Sequence, residues 1–336
     1  MELSIVPRPQ LESTPPDERC SATPVARLKL FEVPLPADLR RFGETVRIAA
    51  LGDPGQPTVV ALGGISANCF PAVQWDGGSG WWSGLVGEGK AVDPRHYRIV
   101  GLDFAADDSG TSAPSTADQA RVLAAALDAI GADKPVTIVG ASYGGMVGLA
   151  LAAAEPARVE RLVIVCAGAE PHPASTAARE LQRRVVSLGL LAGHGDEALA
   201  IARGMAMLTY RTPQEFQARF DGGIASDAPL CCSAPGAYLR ARGQTFRSLM
   251  TPGRFLSLSA SIDRHTVRPE NISAPCLVIG ANSDQLVFPD QLRRLAERLA
   301  GPAELHLLDS LFGHDMFLKE AERIGRLVAP FLAGKE

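Results

Sequence analysis

The stretch Pro135-Val136-Thr137-Ile138-Val139-Gly140-Ala141-Ser142-Tyr143-Gly144 joins an apolar run to a G-x-S-x-G pattern. The apolar run predicts a buried strand, and residues 145–154 predict a helix directly after the turn. A serine in such a turn is held in a strained conformation with its oxygen above the sheet, and the two glycines leave room for the close backbone approach. Ser142 is therefore a predicted nucleophile, with N–H groups at the helix start facing a developing negative charge.

Strand and helix patterns alternate on both sides of this turn. Before it, strands are predicted at residues 46–51, 58–62 and 97–102, with a turn at 53–55 and a helix at 117–130. After it, strands are predicted at 161–166, 275–280 and 304–308, with helices at 289–300 and 317–332. This alternation predicts an α/β fold, with a mostly parallel sheet and helices on both faces.

The alternation is interrupted between residues 170 and 266, where the pattern is mainly helical. Residues 177–188 and 196–208 are the clearest helices there. The predicted division is a loose tail at 1–25, a core at 26–169, a helical lid insertion at 170–270 and the rest of the core at 271–336. Because sites in open α/β sheets lie at the carboxyl ends of the strands, the insertion is expected to cover the site.

Composition excludes several classes of function. The 336 residues are 46% apolar and 21% charged, with a net charge of −4, which gives no basic surface for nucleic acid or membrane. No apolar run reaches membrane-span length, and the amino terminus lacks a secretory pattern, so a cytoplasmic location is predicted. Six cysteines make no disulfide scaffold and have no zinc spacing, so neither a metal nor a bound cofactor is expected. Cys166 and Cys276 are expected to be buried, and Cys231 and Cys232 to lie in a loop.

The chain also supplies partners for the serine in the order serine, acid, histidine. Asp284 follows the late strand Val278-Ile279-Gly280, and His314 follows the last strand. Asp309 is a rival acid, but it lies too close to His314 in the chain. His306 lies inside a strand and is expected to be a packed or surface residue. Ser142, Asp284 and His314 are thus the predicted catalytic residues.

A predicted oxyanion hole completes this set. The segment Ala61-Leu62-Gly63-Gly64-Ile65-Ser66 follows an early strand, and its two glycines let the chain bend around a small anion. The backbone N–H groups of Ile65, or of a neighbour in this segment, and of Tyr143 are the predicted donors.

Several further motifs resemble the homoserine O-acyltransferases of the α/β-hydrolase fold. The similarity runs from about residue 30 to the carboxyl terminus. It is carried by Gly80-Trp81-Trp82-Ser83-Gly84-Leu85-Val86-Gly87, Gly89-Lys90-Ala91-Val92-Asp93, Ser142-Tyr143-Gly144-Gly145-Met146, Leu208-Thr209-Tyr210-Arg211-Thr212, Tyr238-Leu239-Arg240, Asn282-Ser283-Asp284 and Gly313-His314-Asp315. The chain departs from the family where Gly63-Gly64-Ile65-Ser66 replaces the commoner His-Ala-Leu-Thr, and in its shorter amino terminus and its shorter segment after residues 182–184. These departures resemble a branch that uses succinyl-CoA.

The resemblance implies an acyltransferase of methionine biosynthesis that works through an acyl-Ser142 intermediate. L-Homoserine and an acyl-CoA, succinyl-CoA or acetyl-CoA, are the implied substrates, with Arg211 binding the homoserine carboxylate and Asp315 its ammonium. A homodimer through the helical segment is also implied. For the distal carboxylate of a succinyl group, the sequence offers Arg183, Arg184, Arg240 and Arg247 without a choice among them.

Other functions remain open at this stage. An esterase has the same triad, so the triad alone does not separate transfer from hydrolysis. L-Serine is an alternative acceptor, because one methylene is worth only about 1–3 kcal/mol of discrimination. A non-catalytic binding protein of the same fold is the alternative from another class, but such proteins commonly lose a triad member.

Overall fold

A computed structural model describes residues 28–220 and 233–334, and one sheet runs through that part of the chain. Its strands are β1 (Lys29–Pro34), β2 (Thr45–Leu51), β3 (Thr58–Leu62), β4 (Arg98–Leu102), β5 (Val136–Ala141), β6 (Val159–Val165), β7 (Cys276–Ala281) and β8 (Ala303–Leu308). Their order across the sheet is β1-β2-β4-β3-β5-β6-β7-β8. β2 is antiparallel to both of its neighbours, whereas the pairs from β4 to β8 are all parallel. The predicted α/β fold with a mostly parallel sheet is confirmed.

Helices cover both faces of this sheet. They are α1 (Thr116–Ala129), α2 (Tyr143–Ala154), α3 (Pro173–Leu191), α4 (Gly195–Tyr210), α5 (Pro213–Arg219), α6 (Ala234–Arg247), α7 (Pro252–Asp263), α8 (Pro289–Arg298), α9 (Met316–Lys319) and α10 (Ala321–Leu332). Successive side chains of β3 point to opposite faces of the sheet. Val60 belongs to the core that contains residues of α1 and α2, and Val59 belongs to the core that contains residues of α10. None of the described helices is both long and apolar enough to cross a membrane.

The structure differs from the sequence-based elements in three places. β1 was not predicted, because its residues are mostly partly exposed or exposed and end in a proline at the sheet edge. β2 and β3 are not neighbours although a tight turn joins them, since β4 lies between them. The predicted last helix is divided at Glu320, whose backbone φ of −117° is not helical. The predicted tail at 1–25, Cys231 and Cys232 lie outside the described residues.

Helices α3 to α7 occupy the connection between β6 and β7, where the helical insertion was predicted. α7 joins these helices to the core, because the Ser261 hydroxyl lies 2.5 Å from the Tyr143 hydroxyl and the Asp107 N–H donates to Ser257 Oγ at 3.0 Å. Tyr143 is the first residue of α2, directly after Ser142, so the insertion touches the start of that helix. The division into a core and a lid insertion remains a prediction.

Candidate active site

Ser142 lies in the turn between β5 and α2 with a backbone φ of 53°. A non-glycine residue in the left-handed region is strained, so surrounding contacts must hold it there. The Ser142 N–H donates to Val165 O at 2.8 Å. The flanking glycines are required by space, because a Cβ on Gly140 would lie 2.6 Å from Gly144 O and one on Gly144 would lie 2.4 Å from the carbonyl carbon of Leu62. The turn therefore has the strained backbone that the sequence predicted.

The imidazole of His314 lies between Ser142 and Asp284. Its Nε2 is 2.9 Å from Ser142 Oγ, and its Nδ1 is 2.8 Å from Asp284 Oδ2. The other Asp284 oxygen accepts the N–H groups of Leu286 and Val287 at 2.8 and 3.0 Å. Because the Asp284 carboxylate can only accept, Nδ1 carries the proton and Nε2 is free to accept the Ser142 hydroxyl proton. The structure thus brings together the three residues that were predicted from distant parts of the chain.

The competing residues lie elsewhere. Asp309 is exposed, and its carboxylate accepts the side-chain amide of Asn282 at 2.7 Å. His306 lies on β8, where its Nε2 is 3.5 Å from the Glu304 carboxylate. Cys166 is fully buried with its sulfur within 4.8 Å of the ligand atoms of Asp284 and His314. Burial and the nearby Asp284 charge raise the pKa of the Cys166 thiol well above its ordinary value, so the thiol stays protonated.

Two opposing effects set the pKa of His314. Burial alone would lower it, because burial disfavours the charged imidazolium. The Asp284 carboxylate raises it by charge and hydrogen bonding, and the Asp315 carboxylate adds to this, so that the pKa of His314 lies above 6.5. Arg179 acts in the opposite direction. Imidazole is the side chain whose ordinary pKa lies nearest to neutral, and general acid–base catalysis most often uses it.

The oxyanion loop, residues 63–66, lies beside the start of α2. Gly144 donates its N–H to Gly63 O at 2.8 Å, which fixes the loop against the helix. Among the hydrogen bonds of residues 28–220 and 233–334, none has the backbone N–H of Ile65 or Tyr143 as donor. Both N–H groups are therefore available to a ligand, and Ile65 lines the same cavity as Ser142.

A cavity of about 400 Å³ opens above Ser142. The oxyanion loop, Trp81 and Met146 come from the core, and α3, α4 and α6 of the insertion supply the opposite wall. Its charged lining residues in the described part of the chain are Glu170, Arg179, Arg203, Arg242 and Asp315, together with His172 and His314. A cavity of this size between a nucleophile and a set of charged side chains suits a small polar ligand.

Asp315 and Arg211 form a buried ion pair beside this cavity. Arg211 Nε is 3.3 Å from Asp315 Oδ2, and the guanidinium also pairs with Glu215. Asp315 lines the cavity, whereas Arg211 is not one of the lining residues. Arg211 Nε is buried without a hydrogen bond of good geometry. The Arg211–Asp315 pair is therefore a loose charge contact without a well-formed hydrogen bond.

The four arginines considered for a distal carboxylate do not line the cavity. Arg184 and Arg240 are exposed, Arg247 pairs with Asp196, and Arg183 binds Asp263 at 2.6 Å. Sequence reasoning missed the arginines that do line it, which are Arg179, Arg203 and Arg242. The spacing of Arg179 four residues before Arg183 was an available signal, because it places both on one face of α3.

Arg179 and Arg183 share one carboxylate. Arg179 Nη2 and Arg183 Nη1 each lie 2.6 Å from an oxygen of Asp263 on α7. All three side chains are largely buried, so two positive charges are matched there by one negative charge. The group of Arg179, Arg183 and Asp263 therefore carries a net positive charge, and Arg179 is its member in the cavity wall.

Comparison with known proteins gives a consistent family. Residues 57–321 match the model of the alpha/beta hydrolase fold family. A homoserine O-succinyltransferase of Xanthomonas campestris pv. campestris is 39% identical over 295 residues, which cover 85% of this chain and 78% of that protein. A homoserine O-acetyltransferase of Clavibacter michiganensis subsp. michiganensis is 30% identical over 317 residues, with 81% of each chain covered.

A solved structure agrees at the level of the fold. The homoserine O-acetyltransferase from Bacillus anthracis superposes with a TM-score of 0.78 over 92% of this chain and 98% of its own, at 16% sequence identity.

Proposed function

The chain belongs to the homoserine O-acyltransferases within the alpha/beta hydrolase fold family, and from this we propose that it transfers a succinyl group from succinyl-CoA to the hydroxyl of L-homoserine. It is an acyltransferase, and O-succinylhomoserine formation is a step towards methionine. The observation that carries the succinyl assignment is the net positive charge of the group Arg179, Arg183 and Asp263, of which Arg179 lines the same cavity as Ser142, together with the 39% identity to a succinyltransferase.

The first half-reaction acylates the serine. His314 Nε2 takes the Ser142 proton as Oγ attacks the thioester carbon, and the N–H groups of Ile65 and Tyr143 stabilise the oxyanion of the tetrahedral intermediate. As the C–S bond breaks, His314 returns the proton to the CoA sulfur. Asp284 holds Nδ1–H and stabilises the imidazolium. The products of this step are succinyl-Ser142 and free CoA.

The second half-reaction repeats this chemistry with homoserine. His314 takes the proton from the homoserine hydroxyl, whose oxygen attacks the ester carbon of succinyl-Ser142. When the bond to Ser142 Oγ breaks, His314 returns a proton to that oxygen. Because CoA leaves before homoserine reacts, double-displacement kinetics are expected.

Asp315 and Arg211 are the proposed contacts of the amino-acid end of homoserine. Asp315 lines the cavity one residue from His314, so its carboxylate can meet the ammonium. Arg211 is turned towards Asp315 and Glu215 in the free protein, so its predicted contact with the substrate carboxylate requires an exchange of partners. We propose that the zwitterion replaces the loose Arg211–Asp315 pair, with its ammonium on Asp315 and its carboxylate on Arg211.

Arg179 is the proposed contact of the distal succinyl carboxylate. It shares Asp263 with Arg183, so an added carboxylate balances the charge of this group. An acetyl group has no charge to place there. The acetyl donor is nevertheless the second candidate, because the Clavibacter relative that carries an acetyltransferase name is 30% identical.

The decisive experiment compares the two acyl donors in wild type and in Arg179→Met. The wild type is expected to prefer succinyl-CoA, and the variant to lose on the order of ten- to hundred-fold in kcat/KM for succinyl-CoA, with much less change for acetyl-CoA. Arg240→Met is the matched control, since Arg240 is exposed and does not line the cavity. Equal wild-type rates with both donors would contradict the succinyl assignment. So would an Arg179→Met variant whose kcat/KM falls equally for succinyl-CoA and acetyl-CoA.

Hydrolysis is distinguished by its products. If CoA release is independent of homoserine and free succinate is the sole product, the protein is an esterase-like hydrolase. Transfer requires O-succinylhomoserine, and L-serine in parallel reactions measures the acceptor preference. A Ser142→Ala protein is expected to release no CoA above background.

A homodimer through the insertion is supported by exposed leucines on α3 and α4. Leu181, Leu188 and Leu191 recur on one side of α3, and Ile201 and Leu208 lie seven residues apart on α4. Each of these five side chains is more than half exposed to solvent. Two adjacent helices with such residues are typical of an interaction surface, and a second copy is the proposed partner. The cytoplasmic location remains a prediction.

A further inference from the structure

The adjacent tryptophans Trp81 and Trp82 have no role in the reaction described so far. Their rings stack with centroids 5.0 Å apart and an angle of 18° between the planes. Trp82 is 1% exposed, whereas Trp81 lines the cavity above Ser142. Each ring also makes one hydrogen bond to a backbone carbonyl, and the two carbonyls belong to different parts of the site.

Trp81 holds the loop that contains the proposed oxyanion donor Ile65. Its indole N–H donates to Asn68 O at 2.9 Å, just beyond the oxyanion loop. Its ring also packs against the start of this loop, because a Cβ added to Gly63 would lie 2.7 Å from Trp81 Cη2. Trp81 therefore contacts the chain on both sides of Ile65 and limits where the Ile65 N–H can point.

Trp82 holds the segment that follows His314. Its indole N–H donates to Phe317 O at 2.8 Å, and its ring meets the Phe317 ring edge-on at 6.3 Å. Phe317 in turn meets the His314 ring edge-on at 5.9 Å. Aromatic pairs in this arrangement attract each other, so the position of His314 depends on Phe317 and Trp82.

The tryptophan pair is itself fixed by the backbone. The N–H of Trp81 donates to Phe70 O at 3.2 Å, and that of Trp82 to Pro71 O at 2.9 Å. Gly80, the residue before them, has no space for a side chain, because a Cβ there would lie 2.4 Å from Pro71 O. The two rings therefore have little freedom to move apart.

We propose that Trp81 and Trp82 are positioning residues that set the distance between the oxyanion loop and His314. The inference rests on the proposed acyl transfer through Ser142. The oxyanion loop with Ile65 and the proposed base His314 lie about 250 residues apart in the sequence, after β3 and after β8. Stabilisation of the intermediate requires both to be placed within a fraction of an ångström, and a displacement of about 1 Å can cost about a hundred-fold in rate. The stacked rings connect these two segments directly.

The test measures acylation of Ser142 per active site in Trp81→Phe and Trp82→Phe. The probe is p-nitrophenyl acetate, whose burst of nitrophenol gives both the number of active sites and the rate at each site. Each substitution keeps an aromatic ring but removes the indole N–H. Trp75→Phe is the matched control, because Trp75 is 64% exposed and does not line the cavity.

Trp81→Phe is expected to lower the acylation rate per site about ten- to hundred-fold. The acid limb of its pH profile should stay in place, because His314 is undisturbed. Trp82→Phe is expected to lower the rate and also to move the acid limb, because it disturbs the contact between Phe317 and His314. Trp75→Phe should match the wild type.

Per-site rates within two-fold of wild type in both variants would overturn the proposal. It would also be overturned if the variants only lost thermal stability and burst amplitude while the remaining sites reacted at the wild-type rate. A separate burst with succinyl-CoA tests the proposed function. A wild type that reacts with the ester but not with succinyl-CoA contradicts that function and leaves the ester test of the tryptophans valid.

Discussion

At the scale of single residues, the charge beside His314 controls when the base is active. As the proposed base, His314 must be neutral to accept the Ser142 proton, so activity is expected to be lost as pH falls through the pKa of His314. That pKa lies above 6.5, because Asp284 and Asp315 outweigh the effect of burial. The balance of charges around one imidazole thus sets the acid limit of the reaction.

Replacing Asp315 with asparagine is expected to move this limit. Loss of a negative charge near His314 lowers the pKa of the imidazole, so the acid limb of kcat/KM should shift to lower pH. The shift should be measured in the acylation half-reaction with succinyl-CoA alone, where no substrate ammonium is present. Asp290→Asn, on the exposed start of α8, is the control. A limb that stays in place or moves to higher pH would contradict the assignment.

Sequence reasoning placed the predicted catalytic residues better than it placed the residues that line the cavity. Ser142, Asp284 and His314 follow strands in a fixed chain order, and the structure brings them within hydrogen-bond distance. Arg179 gave only the weaker signal of its spacing from Arg183, because a charged residue on a helix usually faces solvent. Its place in the cavity wall depends on Asp263 of α7, a contact between residues 84 positions apart.

At the scale of elements, the approach of α2 to the end of β3 forms the proposed oxyanion hole. Gly144 is the contact point, with Leu62 backbone atoms where a Cβ would lie. The distance between the N–H groups of Ile65 and Tyr143 therefore depends on Gly144 having no side chain.

Gly144→Ala is expected to separate β3 from α2 and to lower kcat on the order of a hundred-fold or more, comparable to loss of one oxyanion donor. The fold should survive, because the displacement is confined to the turn. Gly204→Ala, within α4, is the control. A Cβ on Gly204 would lie 3.7 Å from Leu239 Cβ on α6, which is an ordinary contact distance. Steady-state kinetics with circular dichroism as a check of folding distinguish the two, and full activity of Gly144→Ala would contradict the close approach.

Elements with strong periodicity were predicted well, whereas the order in which the strands pair in the sheet was not. The alternation of strands and helices from β3 to β8 follows from buried apolar runs and helical faces. The insertion of β4 between β2 and β3 depends on pairing between segments about 40 to 50 residues apart, which the pattern of one strand does not encode. The edge strand β1 was missed for a related reason, since its residues are only half buried.

At the scale of the whole molecule, the exposed leucines of α3 predict the state of association. Leu188→Gln with Leu191→Gln is expected to convert a dimer into monomers, because burial of large apolar side chains is the main source of such interfaces. Sedimentation velocity over a range of concentrations gives the result, with Trp75→Gln as an exposed control. A wild type that stays monomeric would contradict the proposed dimer.

A buried histidine predicts how the whole fold responds to acid. His265 accepts the Thr116 hydroxyl at Nδ1 and donates Nε2–H to Gly168 O, so it is held neutral between α1, β6 and the end of the insertion. Burial lowers the pKa of His265 from 6.5 to about 4. The unfolded chain therefore binds a proton before the folded chain does, and stability falls as pH drops from 6.5 to 4.

The expected loss from this one group is about 3 kcal/mol once both states are protonated. His265→Gln should be less stable at pH 7.5 but should lose less with acid, as measured by urea unfolding at several pH values. His306→Gln is the control, because that side chain is partly exposed on β8. An unchanged pH slope in His265→Gln would contradict the role of this residue.

The connection from β6 to β7 also bears on how such an enzyme can diverge. Parallel neighbours in a sheet must be joined by a crossover, and here that obligatory crossover has grown to five described helices. The proposed nucleophile Ser142 precedes it, and the proposed acid Asp284 and base His314 follow it. Mutations in these helices can therefore reshape the substrate pocket while strand register and triad remain intact, which makes the crossover a natural place for new acyl specificities to evolve.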